Sequence, residues 1–142
     1  MPIQIDMDLA SRYQGDFYQY NGKWDKLRQS RVIESILLRI PLPSFYFDGV
    51  DDSKWKVIDG FYRLSVLEDF IVNKSLKLTG LEYLTDFNGL KIDELPNNMV
   101  RRIEETKIIA HIIRSGTPDE VRGSVLERVN YSKVFKSFYS LL

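Results

Sequence analysis

Apolar side chains recur three or four positions apart through Leu27, Ile33, Ile36, Leu37 and Ile40. This spacing predicts an amphipathic helix from about residue 25 to 38, with Asp25 as its N-cap. Lys26, Arg28, Gln29, Arg31 and Glu34 fall mostly on its other faces. Pro41-Leu42-Pro43 ends it, because proline has no N–H to donate and restrains the residue before it. Ser44–Phe47 predicts a short aromatic strand, 48–53 a polar turn, and Lys54–Ile58 a second strand with Trp55 and Val57 on one face. Gly60 breaks the extended pattern. From Phe61 the period becomes helical through Leu64, Leu67, Glu68 and Ile71. Ser75–Leu84 predicts one strand or two short ones. Pro96 opens a helix whose stripe is Met99, Val100 and Ile103, and Lys107–Ile113 is the most strand-like stretch of the chain. Gly116 precedes another helix start, with Thr117 as N-cap, Pro118 at the first position and Asp119 and Glu120 in the first turn. Residues 8–24 read as an irregular lead-in. Residues 131–142 predict a terminal helix bearing Val134, Phe135, Phe138, Leu141 and Leu142, which docks on the core or, uncovered, drives homodimer formation. Short strands interleaved with helices predict an α+β chain, a single domain over residues 1–142 with a small mixed sheet and packed helices.

Composition narrows the function. At 44% hydrophobic and 13% aromatic residues the chain has ample material for a core, which argues against disorder. Basic and acidic residues number 20 each, so any DNA contact needs a local basic patch. The absence of cysteine excludes disulfides, thiol redox chemistry and cysteine zinc sites. The single histidine, His111, lies within Ile108–Ile113 and is expected on a strand face; it supports neither a hydrolytic triad nor a metal cluster. Asp48, Asp51 and Asp52 lack the spacing of a calcium loop and are expected in a solvated turn. Arg101-Arg102 beside Glu104-Glu105 predicts a charge-balanced surface helix. Tyr13, Tyr18 and Tyr20, among Gln and Asn, fit either a recognition surface or packing beneath a loop. The first residues have neither a basic start nor an apolar run, so no signal peptide is expected. The apolar runs are too short to span a bilayer. A soluble, cytoplasmic protein is the expectation.

One stretch invites chemistry: Lys54-Trp-Lys-Val-Ile-Asp59-Gly60-Phe61-Tyr62-Arg63-Leu64-Ser65. A strand ends at an acid and a glycine, and a helix begins at once. The first helical N–H groups lack partners within the helix and carry the positive end of its dipole. Gly60 permits a sharp turn and close ligand approach. Arg63 brings a planar fork suited to phosphate, and Asp59 suits orienting that arginine, a hydroxyl or a metal ion. The same residues equally make an ordinary corner, with Asp59 as a helix cap and Arg63 as a surface ion-pair partner.

Further stretches stand in order around this corner: Asp16-Phe17-Tyr18-Gln19-Tyr20, then Trp24-Asp25-Lys26, then Arg28-Gln29-Ser30-Arg31-Val32-Ile33-Glu34-Ser35-Ile36-Leu37-Leu38-Arg39-Ile40-Pro41-Leu42-Pro43, and later Gly116–Val121 and Arg128-Val129-Asn130. Together they resemble the ParB-like domain that begins GmrSD-type, modification-dependent restriction proteins, from about residue 12 to about residue 130. The resemblance implies a ParB/sulfiredoxin-like fold and a nucleoside triphosphate site with Mg2+, where hydrolysis licenses cutting of foreign DNA. It assigns nucleotide handling to Gln19, Arg31, Glu34, Ser35, Asp59, Gly60, Phe61, Tyr62 and Arg63, with Asp59 and Arg63 as the catalytic candidates.

The departures from that family bear on turnover. The usual Asp-Gly-Gln-Gln-Arg is here Asp59-Gly60-Phe61-Tyr62-Arg63, so two amides have become aromatics, suited to stacking on a base or filling the pocket. Tyr20 replaces the arginine expected after Gln19. Arg128-Val129-Asn130-Tyr131-Ser132-Lys133 replaces the family's Arg-Ile-Asn-Thr-Gly-Gly loop, and the chain ends where relatives continue. No nuclease constellation is present in the sequence. Three readings follow. The first is a nucleotide-binding module, with hydrolysis as a further step, of a DNA-targeting defence or mobile-element system. The second is a degenerate, non-catalytic relative that regulates or inhibits a protein partner, such as a larger homologue. The weakest is direct DNA binding or nicking without nucleotide.

Overall fold

In the computed structural model the described residues are 4–6, as backbone only, 26–125 and 127–128. Asp25, Gln19, the tyrosines at 13, 18 and 20, residues 129–133 and the expected terminal helix at 131–142 lie outside them. The fold is α+β with a small mixed sheet. The described chain divides into two compact units: one holds 4–6, Phe45–Phe61 and the residues from Ala110 on, the other holds the residues from Lys26 to Ser44 and Tyr62–Ile109.

The first unit is built on four strands, β1 (Gln4–Asp6), β2 (Phe45–Gly49), β3 (Lys54–Asp59) and β4 (Ala110–Arg114), in the order β1-β3-β2-β4. β2 and β3 form an antiparallel hairpin, while β1 joins β3 and β4 joins β2 in parallel. The hairpin turn closes on Asp51, whose Oδ1 accepts from Ser53 Oγ at 2.6 Å and Ser53 N at 3.0 Å. These bonds, the hydroxyl's first, hold the Asp51 carboxyl below its usual range. Val57 and Ile58 are adjacent and both buried, so β3 is covered on both faces. Trp55 is half-buried and meets Phe47 with ring centroids 5.6 Å apart. Ile58 and Ile113 form a small cluster with Tyr46, Val50 and Val125 packed against it.

Asp48 corrects the expectation of a solvated aspartate turn. It is the fourth residue of β2, 3% exposed, and its Oδ2 accepts from Arg122 Nε at 2.7 Å and also from Nη2. Asp51 and Asp52 are exposed in the turn, as expected. Arg122 and Val125 belong to the helical segment 119–125, so an ion pair and an apolar contact together dock it on the sheet. The helix start also lies one residue later than expected. The first helical bond runs from Arg122 N to Pro118 O, and the Thr117 hydroxyl donates to Arg114 O instead of capping. Asp48→Ala is expected to cost about 2–3 kcal/mol, less than a fully buried pair because Arg122 is partly exposed. Asp48→Ala/Arg122→Met should recover part of it. Urea melts of the two variants check this; a wild-type midpoint for Asp48→Ala would dismiss the pair as a stabilising element.

The second unit contains α1 (Lys26–Leu37), α2 (Phe61–Leu67, of which Tyr62 onward belongs here), a π-helical turn at Glu68–Val72, 3-10 turns at Thr85–Phe87 and Ile92–Glu94, and α3 (Asn97–Glu105). Ile33, Ile36 and Leu37 bury the expected face of α1 in a core with Val66, Phe70, Leu76, Leu78, Leu81, Ile92, Leu95 and Ile103. Leu27 and Ile40, expected on that face, are 39% and 51% exposed. In the helical stretch from Phe61 to Val72 the buried face is Tyr62, Val66 and Phe70, while the expected stripe of Leu64, Leu67 and Ile71 is only half-buried. α3 follows Pro96 as expected, with Ile103 buried and Met99 and Val100 packed on the core. Arg102 is not simply a surface charge: its Nη1 donates to Leu37 O at 2.8 Å, satisfying an end carbonyl of α1.

Ser75–Leu84 is not a strand. It is irregular, yet it buries Leu76, Leu78 and Leu81. Side chains satisfy much of its backbone: Thr79 N donates to Ser30 Oγ at 2.9 Å, Leu81 N to Asn88 Oδ1 at 2.9 Å, and the N–H groups of 82–84 to Glu34.

α1 ends in paired bonds from Arg39 N to Ile36 O at 3.0 Å and from Ile40 N to Ser35 O at 2.8 Å, with Arg39 at φ 61°. This is the left-handed terminator that normally takes glycine, and an L side chain there costs roughly 1 kcal/mol.

Candidate functional site

The strand–Asp-Gly–helix corner forms as the sequence predicts. β3 ends at Asp59, Gly60 has φ 106°, and α2 starts at Phe61. The unit boundary falls inside this motif: Asp59, Gly60 and Phe61 belong to the first unit, Tyr62 and Arg63 to the second. Gly60 is required twice over. Its φ lies where L side chains rarely go, and a Cβ added there would sit 2.3 Å from Phe45 Cδ1. Asp59 is half-buried and pairs across the hairpin with Tyr46.

Phe61 is half-buried. Tyr62 is 9% exposed, and burial raises the pKa of its phenol. Arg63, in the first turn of α2, donates from Nη1 to Pro43 O and from Nη2 to Ser44 O at 3.4 Å. Pro43 closes the proline stop after α1 and Ser44 follows it, so the guanidinium ties that stretch to α2.

Arg31, Glu34 and Ser35 form a separate local set on α1. Arg31 is exposed, and Ser35 Oγ donates to Arg31 O at 3.0 Å. Glu34 is 4% exposed, and its carboxylate accepts from Glu82 N at 3.1 Å and from Tyr83 N and Leu84 N at 3.0 Å each. Burial alone would raise its pKa; the three N–H donors and the charge of Arg31 outweigh that and bring it below 4.5. Glu34 thus organises the loop at 82–84. Gln19, expected beside these residues, lies outside the described residues.

His111 is exposed on β4 and stacks on Tyr46, with ring centroids 4.8 Å apart and planes at 27°. Among the described residues no group of three or more His, Asp or Glu side chains is placed to hold a metal ion, and no helix is long and apolar enough to cross a membrane. Sequence reading missed the Asp48–Arg122 pair and the Arg102 cap. Each joins residues far apart in the chain, and no local spacing signals either. No protein-family profile matches this chain, and neither does any curated protein or any solved structure.

Proposed function

We propose that the chain is a cytoplasmic ParB-like nucleotide-binding module of a DNA-targeting defence or mobile-element system. Gly60 and Arg63 handle phosphate, and Asp59 orients them or the Mg2+ that accompanies the nucleotide. The observation that carries the reading is the glycine-dependent corner: a strand end, Gly60 at φ 106° and an immediate helix start, with Arg63 in the first turn. Magnesium is commonly held by one or two carboxylates plus substrate phosphates, so Asp59 fits as its protein ligand in company with nucleotide. Any hydrolysis would rest on positioning and charge neutralisation.

Calorimetric titration with ATP, GTP, CTP and UTP, with and without Mg2+, tests this. We expect saturable binding of at least one nucleotide, weakened about ten-fold or more by Arg63→Gln. Because Arg63 also bonds the carbonyls of Pro43 and Ser44, a thermal melt of the variant must accompany the titration. No heat from a folded wild-type sample would end the reading.

A second reading is a non-catalytic relative that acts on a protein partner. A specific observation favours it: the Glu34 carboxylate and the Arg63 guanidinium, both assigned to nucleotide handling, bond to the chain's own backbone. Phosphate release by the purified chain would exclude this reading.

A further inference from the structure

The C-terminal ends of α1 and α3 line a groove of about 270 Å³ that shares no residue with the corner at Gly60 and Arg63. Its apolar part is Ile36, Ile40 and Pro41. Its charged part is Arg39, Arg102 and Lys107 against one acid, Glu105. A chain of formal net charge +0 therefore concentrates cations here beside apolar surface. Ile40 is 51% exposed and lies beside Ile36 and Pro41 in the groove, so an apolar group can rest on it.

Arg102 is committed to Leu37 O. Among the described residues neither Arg39 nor Lys107 is in an ion pair. Cations at helix C-termini complement the dipole, and that alone accounts for a basic residue in the last turn. It does not account for Arg39, which occupies the left-handed position where glycine would stabilise the terminator better. Backbone strain of this kind gathers at binding sites.

We propose that this groove binds an acidic peptide segment of a partner protein. An apolar side chain of the peptide rests on Ile36, Ile40 and Pro41, and its carboxylates meet Arg39 and Lys107. The lining argues against single-stranded nucleic acid, since it offers no aromatic ring for a base to stack on.

The test begins with selection of random displayed peptides on the immobilised full chain. Enriched sequences should be acidic with at least one large apolar residue. A fluorescent synthetic peptide from that set should bind the wild type and lose about ten-fold or more in affinity to Lys107→Glu and to Arg39→Gly. Arg39→Gly should meanwhile melt roughly 3 °C higher, because the strain is relieved, which separates lost recognition from lost folding. These titrations contain no nucleotide, so failure of the nucleotide reading leaves this result standing. Absence of enrichment, enriched peptides without acids, variants that bind equally well, or tighter binding of a labelled single-stranded DNA oligomer would each overturn the proposal.

Discussion

Gly60→Ala is expected to destabilise the protein by about 2–6 kcal/mol. Two costs combine. The φ of 106° lies outside the regions an alanine adopts comfortably, which alone costs about 1–3 kcal/mol. The new Cβ would then lie 2.3 Å from Cδ1 and 2.9 Å from Cε1 of Phe45, a ring with no exposed surface into which to withdraw. Relief must come from moving β2 or the corner itself, and overpacking of a closed core adds about 1–3 kcal/mol. The remedy is equally specific. Phe45→Leu should be destabilising alone, yet in Gly60→Ala/Phe45→Leu the two losses should sum to more than the measured total, because the smaller side chain removes the clash and leaves only the strain. Denaturant melts of the four proteins measure this cycle. Strict additivity would mean that the ring and the glycine do not compete for space. Gly60 is therefore a poor probe of nucleotide binding, since its loss disturbs the fold first; Arg63→Gln is the cleaner variant.

Features with local causes were legible in the sequence. α1 stood out because an apolar stripe met a Pro-Leu-Pro stop, and the β2–β3 hairpin because two aromatic or β-branched runs flank a turn rich in aspartate and serine. The Asp59-Gly60 corner was legible because only glycine suits its backbone. Legibility ended where the cause was distant. Leu76, Leu78 and Leu81 suggest a strand, but N–H groups of Thr79, Leu81 and Glu82 are satisfied by Ser30, Asn88 and Glu34, side chains that no local pattern marks as partners. The stretch from Phe61 has helical spacing, yet its buried face differs from the expected one. Apolar residues lie all round it, and the packing of each unit, not the period, chose Tyr62, Val66 and Phe70. Asp48 stands close to Asp51 and Asp52 in sequence and suggests one acidic turn, while its partner Arg122 is 74 positions away. The same limit applies to the candidate site. The motif at 59–63 is written in the sequence, but the carbonyls that engage Arg63 and the N–H groups that engage Glu34 are not. A motif names residues capable of a task; the contacts show what those residues already do.

Glu34→Ala should cost about 2–4 kcal/mol, and the loss should depend on pH in a direction fixed by the geometry. The carboxylate accepts three backbone N–H bonds at 3.0–3.1 Å from residues 82–84, and its removal strands all three donors at once. Water reaches part of this loop, where Glu82 and Tyr83 are exposed, which keeps the cost below that of three fully buried orphans. Glu34→Gln preserves the shape but turns an N–H2 toward donors, so it should recover little. The folded pKa of Glu34 lies below its ordinary 4.5, because the N–H donors and Arg31 outweigh the effect of burial. The unfolded chain therefore takes up the proton first as pH falls. The stabilisation is complete above about 4.5 and disappears as pH drops through the lower folded value. The wild type should thus exceed Glu34→Gln most at about pH 7, and the two should converge as pH falls below the lowered folded value. Urea melts of both proteins across that range decide the matter. A gap that stays constant with pH would show that the charge on Glu34 contributes nothing to stability.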